Sequence, residues 1–193
     1  DLPSLAGITP HATSREAFKK VFSSVVKGSA PGVAGTTFEN WHAVYHNGGS
    51  DDLFDLVSSI NSGEASDAIY GFLCASRIIA LEKPDKGIRP IAIGDTLARL
   101  STKCICEARS KALARYFTTT KEEGGGTPLQ LGVGMANGTE LVVHTARLLL
   151  ESNPAWACVS GDIRNGFNTV SREAVLRALG QGSFSDLLPV FSK

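Results

Sequence analysis

Apolar residues recur at three- and four-residue intervals through the N-terminal part of the chain, the signature of helices that bury one face. Phe18, Val21, Phe22 and Val25 fall on one such stripe, which opens at a Thr13-Ser14-Arg15-Glu16 capping box and is stopped by Gly28. A turn-rich loop, residues 29–35, leads to a second box at Thr36 and Glu39 and a helix carrying Phe38, Trp41, Val44 and Tyr45. Asn47-Gly48-Gly49 ends it, and Ser50 is expected to cap a third helix with Leu53, Leu56, Val57 and Ile60 inward. Asp51 and Asp52 are adjacent acids, but nothing strand-like precedes them, and a helix N-terminus explains both.

The period then changes. Two runs of strand formers, Arg77 to Lys83 and Ile88 to Ile93, flank Pro84-Asp85-Lys86-Gly87. Proline fixes the entry dihedral of a short hairpin loop, and glycine is expected to supply its left-handed residue. Asp95 caps a long helix in which Leu97, Leu100, Cys104, Ala108 and Ala112 recur, with Arg99, Lys103, Arg109, Lys111 and Arg115 decorating it. Residues 122–127 contain three successive glycines and suit a connection, since no Gly-Lys-Ser or Gly-Lys-Thr follows to make a phosphate loop. In Gln130-Leu131-Gly132-Val133-Gly134 the glycines suggest close backbone approach. Asn137 or Thr139 caps a further helix, the run Trp156-Ala157-Cys158-Val159-Ser160 predicts a strand, and a last helix spans Ser171 to Leu179 before Gly180. With so few strands between helices, a mixed α+β fold is expected rather than a parallel αβ repeat.

Composition narrows the classes. With 193 residues, 42% hydrophobic and 20% charged, the chain can bury a core and is not expected to be disordered. No run approaches a membrane span or a signal peptide, so an intracellular location, nucleus or organelle, is expected. Cysteines 74, 104, 106 and 158 and the four histidines are too scattered for zinc, and the thiols are expected to be free and mostly buried. Net charge is zero, yet residues 71–121 hold 10 Lys and Arg against 4 Asp and Glu. Such a basic middle can follow a phosphate backbone or form solvated faces.

The chemistry concentrates in Asp162-Ile163-Arg164-Asn165-Gly166-Phe167-Asn168, where an acid ends the expected strand and a metal could bind. Taken alone, such an aspartate is more often a cap, Phe167 more often core, and Arg89 more often solvated. Together with Ser29-Ala30-Pro31-Gly32, the whole stretch Arg77 to Asp95, and Gln130 to Gly134, in that order, the segment resembles the fingers and first part of the palm of reverse transcriptases from non-LTR retrotransposons.

The resemblance implies a helix-rich fingers-like region over residues 1–155 with its basic hairpin at 77–93, and the start of an incomplete polymerase palm over 156–193. It implies that Asp162 is the first catalytic carboxylate of an RNA-directed DNA polymerase, a nucleotidyltransferase, and a ligand of Mg²⁺. Arg89, with Lys83 and Lys86 assisting, is implied to meet the incoming triphosphate, and Phe167 to exclude a ribose 2′-hydroxyl. Arg77, Arg99 and Lys103 are expected to contact the template, RNA or DNA. Gly166 departs from the alanine usual in the family.

Two metals need more negative charge than one aspartate supplies, and after Asp162 the only acids are Glu173 and Asp186, neither in an Asp-Asp turn. The chain is therefore expected to be inactive by itself. Three functions fit: a fragment of a longer reverse transcriptase, a domesticated structural subunit whose half-palm a partner covers, or a small RNA-binding module.

Overall fold

The computed structural model describes residues 2–84, 86–118, 131–161 and 166–193, without the side chains of Thr118, Phe167 and Asn168. The fold is α+β, helices with an antiparallel hairpin, as the alternation of periods predicts. The chain divides into two compact units, Asp1–Ala108 with Ser171–Lys193, and Arg109–Val170.

In the first unit, α1 (Arg15–Ser23) starts one residue later than the predicted box. Ser14, not Thr13, is the cap, its hydroxyl accepting from the Ala17 N–H, while the Thr13 hydroxyl is used by Asn61 Nδ2 at 3.2 Å. The same shift occurs at α2 (Phe38–His46): Thr37 and Asn40 form the capping box, and Glu39 is left to accept from the Gly28 N–H at 2.6 Å. That hydrogen bond is the main reason the Glu39 carboxyl sits below its ordinary pKa. In α3 (Ser50–Ser62) Gly49 is the cap without a side-chain bond, and Asp51 and Asp52 lie in the first turn as expected. Sequence periodicity misses α4 (Asp67–Leu73), although Ser66 caps it by accepting from the Ile69 N–H.

Phe18, Phe22, Phe38, Leu53, Val57, Ile60, Tyr70, Leu73, Leu97, Leu100 and Cys104 form one core. Phe18 is its hub, with ring centroids 4.4 Å from Phe22 and 5.4 Å, edge-on, from Phe54. Each fully buried phenylalanine contributes about 2–3 kcal/mol of transfer free energy. Val44, expected inward, is exposed. The C-terminal elements α8 (Arg172–Gln181), a 3₁₀ turn (Ser185–Leu187) and α9 (Leu188–Phe191) belong to this unit; Ser171 caps α8, which runs past Gly180, the residue expected to close it. The buried His11 fastens the N-terminal segment to the 3₁₀ turn, its backbone N–H donating to the Asp186 carbonyl at 2.9 Å and its Nδ1 lying 3.3 Å from Asp186 Oδ2.

The hairpin pairs β1 (Ser76–Glu82) with β2 (Ile88–Gly94), Glu82 opposite Ile88 and Ser76 opposite Gly94. It leads into α5 (Thr96–Thr118), whose inward stripe is Leu97, Leu100, Ser101, Cys104 and Ile105. Ala108 and Ala112, expected to continue that stripe, are exposed.

The second unit contains the end of α5, α6 (Gly138–Ser152) and the short α7 (Gly166–Thr169). Gly134, at φ +70°, passes so close to α5 that a Cβ there would collide with Ala114, which is the close approach the glycine pair suggested. Asn137 precedes α6 in a left-handed conformation and makes no side-chain cap. Residues 156–160 are not a strand. A strand exists only with a neighbour to pair with, and among the described residues the hairpin is the only ladder. The Trp156 N–H instead closes a turn onto the Asn153 carbonyl at 2.9 Å, and Val159 is 91% exposed.

The cysteines are free, but only Cys104 is buried; Cys74, Cys106 and Cys158 are exposed. No helix among the described residues is long and apolar enough to cross a membrane.

Candidate nucleic-acid interface

The hairpin and the first turns of α5 carry most of the cations singled out in the sequence. Directly opposed residues of an antiparallel pair share a face. Arg77 opposes Ile93, Ile79 opposes Ile91 and Leu81 opposes Arg89, so both arginines lie on one face, about 13 Å apart along the strand, with aliphatic residues between them. Both are exposed.

Lys83 and Lys86 sit at the tip. The Lys83 N–H donates to the Gly87 carbonyl at 2.7 Å and the Lys86 N–H to the Lys83 carbonyl at 3.0 Å. The left-handed residue is Lys86, at φ +63°, and not Gly87. A lysine there accepts strain that glycine would avoid. None of the ion pairs found among the described residues engages Arg77, Lys83, Lys86 or Arg89.

Arg99 and Lys103 are differently placed. They stand one turn apart on α5 and both cover the ring of buried Phe38, at 4.5 Å and 5.0 Å from its centroid. Arg99 also donates from Nη1 to the Ala30 carbonyl at 3.1 Å. That bond draws the Ser29–Gly32 loop onto the base of the hairpin. Gly32 is the residue that permits it, since a Cβ would lie 2.6 Å from Asp95 Cα and 2.9 Å from the Gly94 carbonyl oxygen. Asp95 is 2% exposed and caps α5 through Oδ1, which accepts from the Leu97 N–H at 2.8 Å. Two segments of the resemblance that are far apart in sequence, the Ser29–Gly32 loop and the Gly94–Asp95 junction, are thus in contact. The sequence pattern assigned Phe38 only to a helix stripe; its use as a platform for two cations was signalled by nothing but the spacing of Arg99 and Lys103.

Asp162 lies outside the described residues, and of Phe167 only the backbone, in α7, is described. Among the described residues no three side chains of His, Cys, Asp and Glu gather as metal ligands.

The chain is similar to the 132 kDa protein of the retrotransposable element SLACS of Trypanosoma brucei gambiense, with 26% identity over 176 residues. The match covers 90% of this chain but only 14% of that protein. The likeness relates the chain, at a distance, to a retrotransposon protein. No family model matches it, and no solved structure matches it significantly.

Proposed function

We propose that the chain is the fingers-like region and opening of the palm of a retrotransposon reverse-transcriptase-like protein, and that its hairpin binds a nucleic-acid backbone. The observation that carries this is the set of cations Arg77, Arg89 and Lys86, exposed, and half-buried Lys83, held on a hairpin whose base is locked by Arg99, Ala30 and Gly32. Guanidinium groups suit phosphate because their paired N–H donors match its oxygens, and each neutralised phosphate releases counterions. The likeness to a retrotransposon protein supports the same reading. Arg89 and the tip lysines are the proposed contacts to a triphosphate; Arg77 is the proposed template contact. Arg99 and Lys103 act chiefly by positioning, through Phe38 and the Ser29–Gly32 loop.

Asp162 is proposed as the first palm carboxylate. Polymerisation needs the second carboxylate cluster, and no Asp-Asp turn follows Asp162 in this chain. The purified 193-residue chain is therefore expected to show no primer extension with Mg²⁺ and dNTPs. Incorporation that Asp162→Ala abolishes would refute that part of the proposal.

A further inference from the structure

The hairpin has two unlike edges. Because the Lys83 N–H bonds to the Gly87 carbonyl, the odd-numbered residues of β1 form the hydrogen-bonded pairs with β2. The backbone groups of Ser76, Ile78, Ala80 and Glu82 then point away from β2. By the same parity Ile88, Pro90, Ala92 and Gly94 form the outer edge of β2, where Pro90 brings no N–H. One edge is interrupted in its middle, and the other is intact.

Among the described residues the sheet ends at these two strands, and both faces are open: Ile78 is 72% and Ile88 70% exposed on one, and Leu81 is 48% exposed on the other. A lone two-stranded hairpin is marginal in water, and an unblocked edge is a template for another strand.

The residues of β1 complement themselves. Antiparallel pairing of two copies centred on Ile79 sets Ile78 opposite Ala80, Ser76 opposite Glu82 and Arg77 opposite Leu81, with no like charges opposed and all seven residues paired. Sliding the centre to Ala80 opposes Arg77 to Lys83; sliding it to Ile78 runs Glu82 against Cys74, which caps α4 and is not strand. We propose that β1 pairs with β1 of a second copy of this chain, antiparallel about Ile79, to give a four-stranded sheet with β2 at both outer edges. Arg77 and Arg89 of both copies then share one face. The pairing rests on edge geometry and register and stands apart from the nucleic-acid proposal.

Sedimentation equilibrium of the 193-residue chain is expected to show a reversible monomer–dimer equilibrium. Ile78→Pro, which removes an outward N–H of β1, is expected to leave only monomer, whereas Ala92→Pro, outward on β2, leaves the dimer unchanged. Ser76→Lys, facing Glu82, is expected to tighten it by roughly 2- to 30-fold and Ser76→Glu to loosen it comparably. With exposed Cys74, Cys106 and Cys158 replaced by serine, Ile79→Cys is expected to form a disulfide between copies, being opposite itself at a Cα separation of about 4.5 Å, while Leu81→Cys does not. Monomer at every concentration would overturn the proposal. So would a dimer indifferent to Ile78→Pro and Ser76→Glu, crosslinking through Leu81→Cys as readily as through Ile79→Cys, or association that occurs only when RNA is added.

Discussion

The indole Nε1–H of Trp41 donates to Thr96 Oγ1 at 2.9 Å, and that hydroxyl donates in turn to the Thr36 carbonyl at 2.9 Å. Thr96 is fully buried and is the first residue of α5, so one hydroxyl joins the start of the basic helix to α2 and to the loop before it. Thr96→Val keeps the shape and leaves a half-buried indole donor and a carbonyl unpartnered. The expected cost is about 1–2 kcal/mol, read as a lower urea midpoint at unchanged m-value. Combined with Trp41→Phe, the loss is expected to be less than the sum of the two single variants, because each removes the same bond.

Gly32→Ala is expected to be more damaging than a surface glycine substitution. Its Cβ meets backbone at Gly94 and Asp95, which cannot rotate aside. A loss of about 1–3 kcal/mol is expected from the forced backbone shift. Weaker Arg99–Ala30 bonding should show as faster amide exchange across residues 29–35. Gly35→Ala tests a different case: no atom lies within 4 Å of a Cβ there, and only the strain of φ +74° opposes it.

Burial pushes the Cys104 thiol up to about 12, whereas the other cysteines are exposed. Alkylation by iodoacetamide at pH 8, followed by peptide mass spectrometry, is expected to modify Cys74, Cys106 and Cys158 first and Cys104 only on unfolding. The folded state prefers the protonated thiol, so stability from this group is intact below the ordinary thiol value of 9.0 and declines as pH rises toward 12. Tyr70 acts in the same direction. Desolvation raises its pKa while its hydroxyl donates to the Ile60 carbonyl at 2.7 Å. Denaturant midpoints are expected to hold to about pH 9 and fall above it.

Much of the fold was legible in the chain because helices that bury one face advertise it. Phe18, Phe22, Leu53, Val57 and Leu97 were all placed inward from spacing alone, and the hairpin from two β-rich runs around Pro84 and Lys86. Cap residues were displaced by one, since Thr13-Ser14 and Thr36-Thr37 each offer adjacent hydroxyls and only local geometry decides between them. The run 156–160 misled because strand propensity reflects a packed sheet surface, and a run without a paired neighbour has none. The cationic side chains of the candidate interface were legible as a charge cluster. Their division into free cations on the hairpin and cations seated on Phe38 was not, because that depends on where α2 meets α5.

The most direct test of the nucleic-acid proposal is the salt dependence of RNA binding by the 193-residue chain. Fluorescence anisotropy with a labelled single-stranded RNA, titrated from about 50 to 200 mM salt, is expected to give a linear fall of log K with log salt. Replacing Arg77, Lys83, Lys86 and Arg89 together by Gln is expected to weaken binding and to reduce the slope by about 0.7 for each phosphate that is no longer neutralised. Binding that ignores salt, or a quadruple variant that binds RNA with unchanged affinity and slope, would contradict the assignment of the hairpin as the nucleic-acid contact.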